Sequence, residues 1–282
     1  MSTFPLPDID LGGRVAIITG GDRGLGFAMA EALAARGARV ALASPDAPRL
    51  RDAAAALEAQ AGQGCALALP TDITDEDACH ALVAATLAAW GRLDVLFNNA
   101  RRLHRGPGIP PDGNNLPMQD TDTAIYRETV MVNVVGTFLM TRAALTHFLA
   151  RGGGKVVNLT TSLRNHFRPH QSPYGVTKAA LESSTLIWAG DLAGTGVTVN
   201  ALLPGGASDT DPDRPKRPGM ALLPADIMNP LAVWLASAES DGVTGARFVG
   251  AKWNPGLPPG EAAMAAREQP VFAAEADGWS ML

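Results

Sequence analysis

Cysteine is almost absent from this sequence, and so is any surplus of positive charge. The chain of 282 residues has two cysteines, Cys65 and Cys79, which form neither a Cys-x-x-Cys pair nor a Cys/His zinc pattern. Two such thiols build no disulfide framework, so we expect a reducing compartment and no metal site. The 23 Lys and Arg residues are outnumbered by 28 Asp and Glu residues, which leaves a net charge of −5. This charge excludes a global basic surface for nucleic acid or for an anionic membrane.

Long hydrophobic runs are also missing. No uncharged apolar run reaches the length of about 18 residues that a membrane-spanning helix needs. Residues 1–10 lack the basic and then apolar pattern of a signal peptide. We therefore expect a cytoplasmic protein with neither a membrane nor a nucleic acid as its partner. Because 46% of the residues are apolar and no linker or repeat divides the chain, residues 1–282 are predicted to form a single domain.

Short aliphatic runs alternate with longer alanine- and leucine-rich stretches of helical period. The predicted strands are 15–19, 39–43, 66–69, 95–97, 155–160, 197–203 and 247–250. The predicted helices are 25–36, 47–61, 75–90, 124–150, 174–193 and 224–236. Strands that are apolar at nearly every position and alternate with helices form a parallel sheet covered on both faces. The sequence thus predicts an α/β fold, a doubly wound Rossmann-like domain with a mainly parallel seven-stranded sheet and helices on both faces.

A glycine-rich turn joins the first predicted strand to the first predicted helix. It reads Gly20-Gly-Asp-Arg-Gly24-Leu-Gly26. Glycine adopts backbone angles that other residues avoid and has no Cβ, so backbone amides and the positive end of a helix can approach a pyrophosphate. In an α/β chain this arrangement predicts a dinucleotide site.

The spacing Thr-Gly-x-x-x-Gly-x-Gly, together with later motifs, resembles the short-chain dehydrogenase/reductase family. These motifs are, in chain order, Thr71-Asp72-Ile73, Asn98-Asn99-Ala100, Asn133, Tyr174-Gly-Val-Thr-Lys178 and Pro204-Gly205. The resemblance covers a core of about residues 13–250 and leaves 254–282 as a C-terminal tail or lid. It implies an oxidoreductase that transfers a hydride between a nicotinamide cofactor and an alcohol or ketone. The cofactor-binding residues that it implies are Gly20, Arg23, Gly24, Leu25, Gly26, Ser44, Asp72, Ile73, Asn99, Ala100, Tyr174, Lys178, Pro204 and Gly205.

Tyr174 and Lys178 stand four residues apart on a predicted helix, so their side chains lie on one face. A phenol has a pKa of about 10, which makes it a poor base near neutral pH unless a cation favours its ionised form. Lys178 can be that cation. When a hydride leaves an alcohol carbon, the hydroxyl proton must leave as well, and Tyr174 is the predicted general acid/base.

A hydroxyl donor must hold the developing alkoxide, and Thr161 and Ser162 are both candidates. The family places its serine at the position of Thr161, one residue before Ser162. We favour Ser162, because a one-residue difference in the loop costs little and a serine hydroxyl is less hindered than that of a β-branched residue. The resemblance also assigns Asn133 to the catalytic group, bound to a backbone group and to a water that relays the proton from Lys178.

The residue at the end of the second strand contacts the adenosine ribose in dinucleotide enzymes. The resemblance places Ser44 there, so no carboxylate repels a 2′-phosphate, and Arg23 lies where NADP-dependent members often carry a cation. Against this, Pro45 stands where such members often have a further arginine, and Asp46 can still reach the ribose. The sequence favours NADP(H), with NAD(H) as the alternative.

Two clusters of basic residues follow predicted strands. Arg101 replaces the glycine that the family has after its Asn-Asn-Ala motif, and Arg102, His104 and Arg105 follow. The second cluster is Arg164, His166, Arg168 and His170. Because loops at the carboxyl ends of strands hold the substrate in such sheets, the clusters predict a small anionic alcohol or ketone as the substrate. Two solvated loops are the alternative. The candidate substrate-binding residues are Arg101, Arg105, Thr161, Arg164 and Arg168.

Other expectations concern assembly and the class of function. The resemblance implies a homodimer or homotetramer, paired through the helices predicted at 124–150 and 174–193. A nucleotide-binding sensor or scaffold stays open as an alternative function, because Arg101 in place of glycine would narrow the nicotinamide side of the cleft. A sugar-nucleotide epimerase or dehydratase uses the same Tyr/Lys pair, but the chain has little room for the larger C-terminal domain of such an enzyme.

Overall fold

Eight strands form one sheet in the residues that the computed structural model describes, 4–103, 116–210 and 222–269. The strands are β1 (Val15–Thr19), β2 (Arg39–Ser44), β3 (Ala66–Pro70), β4 (Val95–Asn98), β5 (Gly154–Leu159), β6 (Val197–Leu203), β7 (Arg247–Val249) and β8 (Arg267–Glu268). Their order across the sheet is β3-β2-β1-β4-β5-β6-β7-β8. The first seven are parallel and β8 is antiparallel to β7. The predicted α/β class and mainly parallel sheet are confirmed.

Helices cover both faces of this sheet. They are α1 (Gly24–Ala35), α2 (Ala47–Ala61), α3 (Glu76–Trp90), α4 (Thr123–Val130), α5 (Thr137–Arg151), α6 (Leu163–Phe167), α7 (Tyr174–Asp191), α8 (Asn229–Ala236) and α9 (Pro259–Ala265). Successive strand residues point to opposite faces. In β1, Ala16 and Ile18 pack in a core with α1, α2, α8 and α9. Val15 and Ile17 pack in the other core, with α3, α5 and α7.

The C-terminal part of the described chain differs from the prediction. Seven strands were expected, but Arg267 and Glu268 add an eighth at the edge of the sheet. Two charged residues carry no strand signal in the sequence, so this strand forms through its pairing with β7 rather than through its own composition. Residues 259–268 are therefore part of the fold rather than a tail or lid. The rest of the predicted tail, from residue 270 on, lies outside the described residues.

The helix predicted at 124–150 is interrupted. A π-helical turn, Met131–Gly136, separates α4 from α5. The continuous stretch Thr123–Arg151 is long and apolar enough to cross a membrane by length and composition. Core helices of globular proteins meet the same criterion, and Met140, Ala144 and Phe148 of α5 lie fully buried against the sheet.

The strand order places a crevice at the carboxyl ends of β1 and β4. These two strands are neighbours, but the chain proceeds from β1 toward β2 on one side and from β4 toward β5 on the other. The connections therefore diverge and leave an opening between them, which is where open α/β sheets bind their ligands. The glycine turn follows β1 and the Asn-Asn-Ala motif follows β4, so the fold brings both motifs to this opening.

Candidate active site

The glycine turn after β1 is shaped to receive an anion. Gly20 has φ +61° and Gly24 has φ +57°, both in the left-handed region. A Cβ on Gly26 would collide with the Gly20 carbonyl oxygen. Helix α1 begins directly after Arg23, with no side-chain cap and no acidic residue in its first turn. Its first N–H groups and the positive end of its dipole therefore face the opening, and no carboxylate of the helix itself neutralises them.

The Asn-Asn-Ala motif holds this turn against β4. The side-chain Nδ2 of Asn99 donates to the carbonyl oxygens of Thr19 at 2.9 Å and of Gly20 at 2.8 Å. In return, the hydroxyl of Thr19 accepts from the backbone N–H groups of Asn99 at 3.1 Å and Ala100 at 3.0 Å. The four bonds fix the position of one motif relative to the other.

A cleft of about 580 Å³ runs from this turn along the carboxyl ends of β2, β1 and β4. The predicted cofactor-binding residues that line it are Gly20, Arg23, Gly24, Leu25, Ser44, Asp72, Ile73, Asn99 and Ala100. The predicted residues Gly26, Tyr174, Lys178, Pro204 and Gly205 lie outside this lining. The carboxylate of Asp72 accepts from the N–H of Thr74 at 2.9 Å and from its hydroxyl at 2.8 Å. The uncapped N-terminus of α1 and a cleft that reaches from the glycine turn to the ends of β2 and β4 fit a dinucleotide.

Four charged side chains lie at the end of the cleft beside β2. Asp46 caps α2 and accepts from the N–H of Arg49 at 3.2 Å, and an Arg49 nitrogen lies 3.6 Å from the other Asp46 oxygen. Arg49 and Arg23 both reach Asp22, at 4.0 and 3.9 Å. Ser44 is buried, and its hydroxyl accepts from the N–H of Asp46 at 3.3 Å. Arg49 and Asp22 were missed in the sequence, although Asp22 directly precedes the predicted Arg23.

Lys178 lies in the interior directly behind Tyr174. Tyr174 is the first residue of α7 and is half-buried, whereas Lys178, one turn later, is fully buried. The Lys178 ammonium lies 5.9 Å from the centre of the Tyr174 ring and donates to the carbonyl oxygen of Leu159 at 2.6 Å. Burial lowers the pKa of Lys178 to about 7, the Arg101 guanidinium acts in the same direction, and the Glu182 carboxylate opposes it.

Asn133 joins the loop after β4 to α7. It lies fully buried in the π-helical turn. Its side-chain oxygen accepts from the N–H of Arg102 at 2.6 Å, and its Nδ2 donates to the Arg102 carbonyl oxygen at 3.3 Å and to the Thr177 hydroxyl at 3.0 Å. Thr177 in turn donates to the carbonyl oxygen of Tyr174 at 2.8 Å. π-Helical turns in proteins often mark functional positions, and this one directs the Asn133 amide between the loop after β4 and helix α7.

The two candidate hydroxyls differ in their hydrogen bonds. The Thr161 hydroxyl is buried and accepts from the side-chain amide of Asn165 at 2.8 Å. Ser162 is half-buried at the N-terminus of α6, and its hydroxyl makes no capping bond. Because the Thr161 hydroxyl only accepts in this bond, both hydroxyls keep an O–H that can donate to a substrate oxygen, and Ser162 is the more exposed of the two.

The predicted basic residues do not all reach the cleft. Arg101 is exposed and lines the cleft, whereas Arg164 and Arg168 are exposed at α6 and do not line it. These three form no ion pair with a carboxylate in the described ranges 4–103, 116–210 and 222–269. Arg102 also lines the cleft, but it pairs with Glu128 at 3.1 Å. Arg105 lies outside the described residues, so Arg101 is the arginine of the predicted substrate-binding set that lines the cleft in the described part of the chain.

His166 belongs to the second predicted basic cluster, but it carries no positive charge near neutral pH. Burial lowers its pKa to about 4, and the positive charges of Arg247 and Lys178 add to this effect. Both ring nitrogens are buried without a hydrogen-bond partner among the described residues. The sequence pattern showed the histidine but not its burial.

The loop after β6 reaches back to the glycine turn. The Pro204 carbonyl oxygen accepts from the N–H of Ala251 at 3.0 Å, and Gly205 has φ +98°. Farther along, Thr210 lines the cleft and packs so closely on Gly24 that a Cβ there would lie 3.0 Å from the Thr210 Cβ. No sequence motif marked Thr210. Within the described part of the chain, no group of three or more His, Cys, Asp or Glu side chains could hold a metal ion.

Comparisons with known proteins agree with this geometry. A family model described as short chain dehydrogenase matches residues 14–221. The chain is 36% identical over 219 residues to cis-4-hydroxycyclohexanecarboxylate dehydrogenase of Sinomonas cyclohexanicum, which covers 78% of this chain and 80% of that protein. It is also 36% identical over 197 residues to 2,5-dichloro-2,5-cyclohexadiene-1,4-diol dehydrogenase of Sphingobium indicum, and this alignment covers 70% of this chain and 73% of the relative. The crystal structure of 3-ketoacyl-(acyl-carrier-protein) reductase from Brucella melitensis complexed with NADH matches with a TM-score of 0.75 at 30% identity, over 85% of this chain and 97% of that one.

Proposed function

Because the chain belongs to the short-chain dehydrogenase/reductase family and is a nicotinamide-dependent oxidoreductase, we propose that it moves a hydride between NADP(H) and a secondary alcohol or its ketone, with Tyr174 as general acid/base. The observation that carries this proposal is the buried Lys178 ammonium behind the Tyr174 ring. A solvated Tyr/Lys pair is common on the surface of a helix. A buried cation beside a phenol, by contrast, favours the ionised form of that phenol. Nicotinamide absorbance, followed with the purified protein and a panel of secondary alcohols and ketones, tests the reaction.

The protein groups have separate roles in the proposed reaction. The nicotinamide, when bound, accepts or donates the hydride. In the oxidation direction, Tyr174 accepts the proton of the substrate hydroxyl while the carbinol C–H bond breaks and the C=O bond forms. The Ser162 hydroxyl donates to the developing alkoxide, and Lys178 favours the ionised phenol. Asn133 keeps the backbone of Arg102, which lines the cleft, at a fixed distance from α7, which carries Tyr174.

We propose NADP(H) as the preferred cofactor. Ser44 at the end of β2 presents no carboxylate to a 2′-phosphate, and the guanidinium groups of Arg23 and Arg49 line the same end of the cleft. Guanidinium groups bind phosphate oxygens bidentately. Asp22 and Asp46 hold the two arginines at this end, and a phosphate would compete with them for the guanidinium N–H groups.

The cofactor preference should be visible in single substitutions. We expect a lower KM for NADPH than for NADH, and Arg49→Gln or Arg23→Gln should raise the KM for NADPH about tenfold while changing that for NADH little. Ser44→Asp should shift the preference toward NADH through repulsion of the phosphate. Arg51→Gln, an exposed arginine on the same helix α2 that does not line the cleft, is the control. Equal KM values of the wild type for both cofactors would contradict the proposal.

We propose further that the substrate carries a carboxylate or a similar anion, held by Arg101. This arginine lines the cleft, has no ion-pair partner among the described residues and lies close enough to Lys178 to lower its pKa. The relative from Sinomonas cyclohexanicum is named for an alcohol that carries a carboxylate. A cation at the margin of a cleft attracts such a substrate although the chain as a whole is acidic.

A matched pair of substrates tests the role of Arg101. We expect cis-4-hydroxycyclohexanecarboxylate to be oxidised with a higher kcat/KM than the neutral 4-methylcyclohexanol, and its KM to rise with ionic strength. Arg101→Gln should lower kcat/KM for the carboxylate about tenfold and leave the neutral alcohol nearly unchanged. Arg142→Gln, which removes an exposed arginine paired with Glu76, controls for net charge. The assignment would be wrong if the best substrate were uncharged and its kcat/KM changed neither with salt nor in Arg101→Gln.

We propose that the protein is a homodimer or homotetramer, paired through the π-helical turn, α5 and α7. Large apolar side chains are exposed there, among them Phe138 on α5 and Ile187 on α7, the latter 58% exposed. The Phe138 ring lies 6.4 Å from that of Trp188, so the two helices present one continuous apolar face. A contiguous apolar face of this kind marks an interaction surface.

Light scattering after size-exclusion chromatography tests the assembly. We expect the wild type to have the mass of two or four chains, and Phe138→Glu with Ile187→Glu to shift it toward one chain, because buried charges oppose association. Met264→Glu, on an exposed apolar residue of α9, should leave the mass unchanged. A monomeric wild type at micromolar concentration would contradict the proposal.

A further inference from the structure

Arg247, the first residue of β7, is a fully buried cation outside the residues assigned to the reaction. Its Nε donates to Glu182 on α7 at 3.0 Å, and both side chains are 1% exposed. Its Nη2 donates to the carbonyl oxygen of Thr161 at 2.9 Å. Its Nη1 pairs with Glu268 on β8, which also binds Lys252 at 2.8 Å. One planar group thus contacts three separate elements of the chain.

Two of these three contacts, those with Thr161 and Glu182, end next to a group of the proposed reaction. The Thr161 carbonyl immediately precedes Ser162, and Glu182 follows Lys178 by one turn of α7. The guanidinium group holds its N–H donors in a rigid fork. We propose that Arg247 is a positioning residue, which sets the Thr161–Ser162 segment at a fixed distance from Tyr174 and Lys178. This inference rests on the proposed function, because it acts through the hydroxyl donor named there.

Stability alone does not account for this cluster. A buried ion pair loses the hydration of both charges, and its replacement by apolar side chains of similar volume is often neutral or stabilising. Apolar contacts have no preferred angle, whereas hydrogen bonds are directional. The bonds of Arg247 can therefore fix both the angle and the distance between a carbonyl, a helix and a strand. The cluster also links β8 to the catalytic loop, so the C-terminal strand takes part in the geometry of the site.

The test separates position from stability. In Arg247→Met/Glu182→Met, both buried charges are removed while the volume is kept. Because Glu182 raises the pKa of Lys178, the pair variant and the wild type are compared at pH values far enough below 7 that Lys178 keeps its proton in both proteins. There we expect a melting temperature and an NADPH affinity close to those of the wild type, but a kcat lower by roughly 10- to 100-fold, because small misplacements of a catalytic group cost about that much. Combined with Ser162→Ala, the same pair should lower kcat by less than about threefold further, because the group that it positions is already gone. Lys155→Met, at the other buried lysine of the described chain, is the control without an effect on kcat.

The outcomes are distinct. Near-wild-type kcat in the folded pair variant, or equal fractional losses with and without Ser162→Ala, would overturn the positioning role. If the pair variant does not fold, Arg247→Lys is used in the same cycle, because lysine keeps the charge and loses the fork. The single variants Ser162→Ala and Thr161→Val report on the proposed function by themselves. If neither lowers the wild-type kcat, the hydroxyl assignment is wrong and the positioning role falls with it, whereas equal losses in the cycle contradict the positioning role alone.

Discussion

Tyr174→Phe should abolish measurable turnover and leave the affinity for NADPH almost unchanged. The substitution removes the phenolic hydroxyl, which is the group proposed to take or give the proton, and keeps the ring and its packing on α7. Loss of a general acid/base lowers the rate on the order of 10² to 10⁴-fold. Steady-state kcat and the quenching of nicotinamide fluorescence measure the two quantities separately.

The sequence contains its own control for this experiment. Tyr126, the other of the two tyrosines, lies exposed on α4. Tyr126→Phe also deletes a phenolic hydroxyl but should leave kcat unchanged. If Tyr174→Phe retained activity within a factor of a few of the wild type, another group would have to carry the proton, and the assignment of Tyr174 would be wrong.

Lys178→Met should lower both the turnover and the affinity for the cofactor. Its ammonium is proposed to favour the ionised Tyr174, and the family resemblance implies that it also binds the nicotinamide ribose. We expect a kcat at least about 100-fold lower and an NADPH affinity about tenfold weaker. Methionine keeps most of the volume of the side chain, and an apolar group is easily accommodated at a fully buried position. Unchanged cofactor affinity would remove the ribose role and leave only the electrostatic one.

The pKa of Lys178 gives this prediction a pH dependence. In the free protein that pKa is lowered to about 7 by burial and by Arg101. The ammonium is therefore present below pH 7 and is lost as the pH rises through that value. NADPH affinity should fall over the same range, and this fall should be absent in Lys178→Met. In Arg101→Gln it should occur at a higher pH, because a like charge has been removed. An affinity that rose with pH would contradict this direction.

The sheet could be predicted closely because its strands are short aliphatic runs bounded by glycine, proline or polar residues. The seven predicted strands agree with β1 to β7 within one residue at each end. The predictions failed where pairing or packing decides the structure. Strand β8 consists of two charged residues, and α8 begins at Asn229 rather than at the predicted residue 224. The π-helical turn around Asn133 has the same apolar composition as the helices beside it, so nothing in the sequence marked it.

The site was predictable only where a motif recurs at known spacing. The glycine turn, Asn99 and the Tyr174/Lys178 pair were found in this way. Thr210 and Arg49 were not, because the tertiary fold brings them to the cleft without a motif to mark them. Arg247 was not, because only the fold places it against the Thr161 carbonyl in the interior. Arg247 is the first residue of the strand predicted at 247–250, and no motif marks it. The difference in hydrogen bonding between Thr161 and Ser162 likewise depends on the side chain of Asn165, which sequence spacing does not place.

The most direct test of the reaction is to follow the hydride itself. The purified protein is incubated with NADP⁺ and cis-4-hydroxycyclohexanecarboxylate that carries deuterium at its carbinol carbon. Mass spectrometry then measures the mass of the reduced nicotinamide cofactor. Hydride transfer predicts one deuterium per reduced cofactor in the wild type and almost no labelled cofactor in Tyr174→Phe. Because the substrate is itself proposed, the same measurement includes a panel of deuterated secondary alcohols and NAD⁺. Tight binding of both cofactors with no deuterium transferred from any alcohol would contradict the account and favour a nucleotide-binding sensor or scaffold.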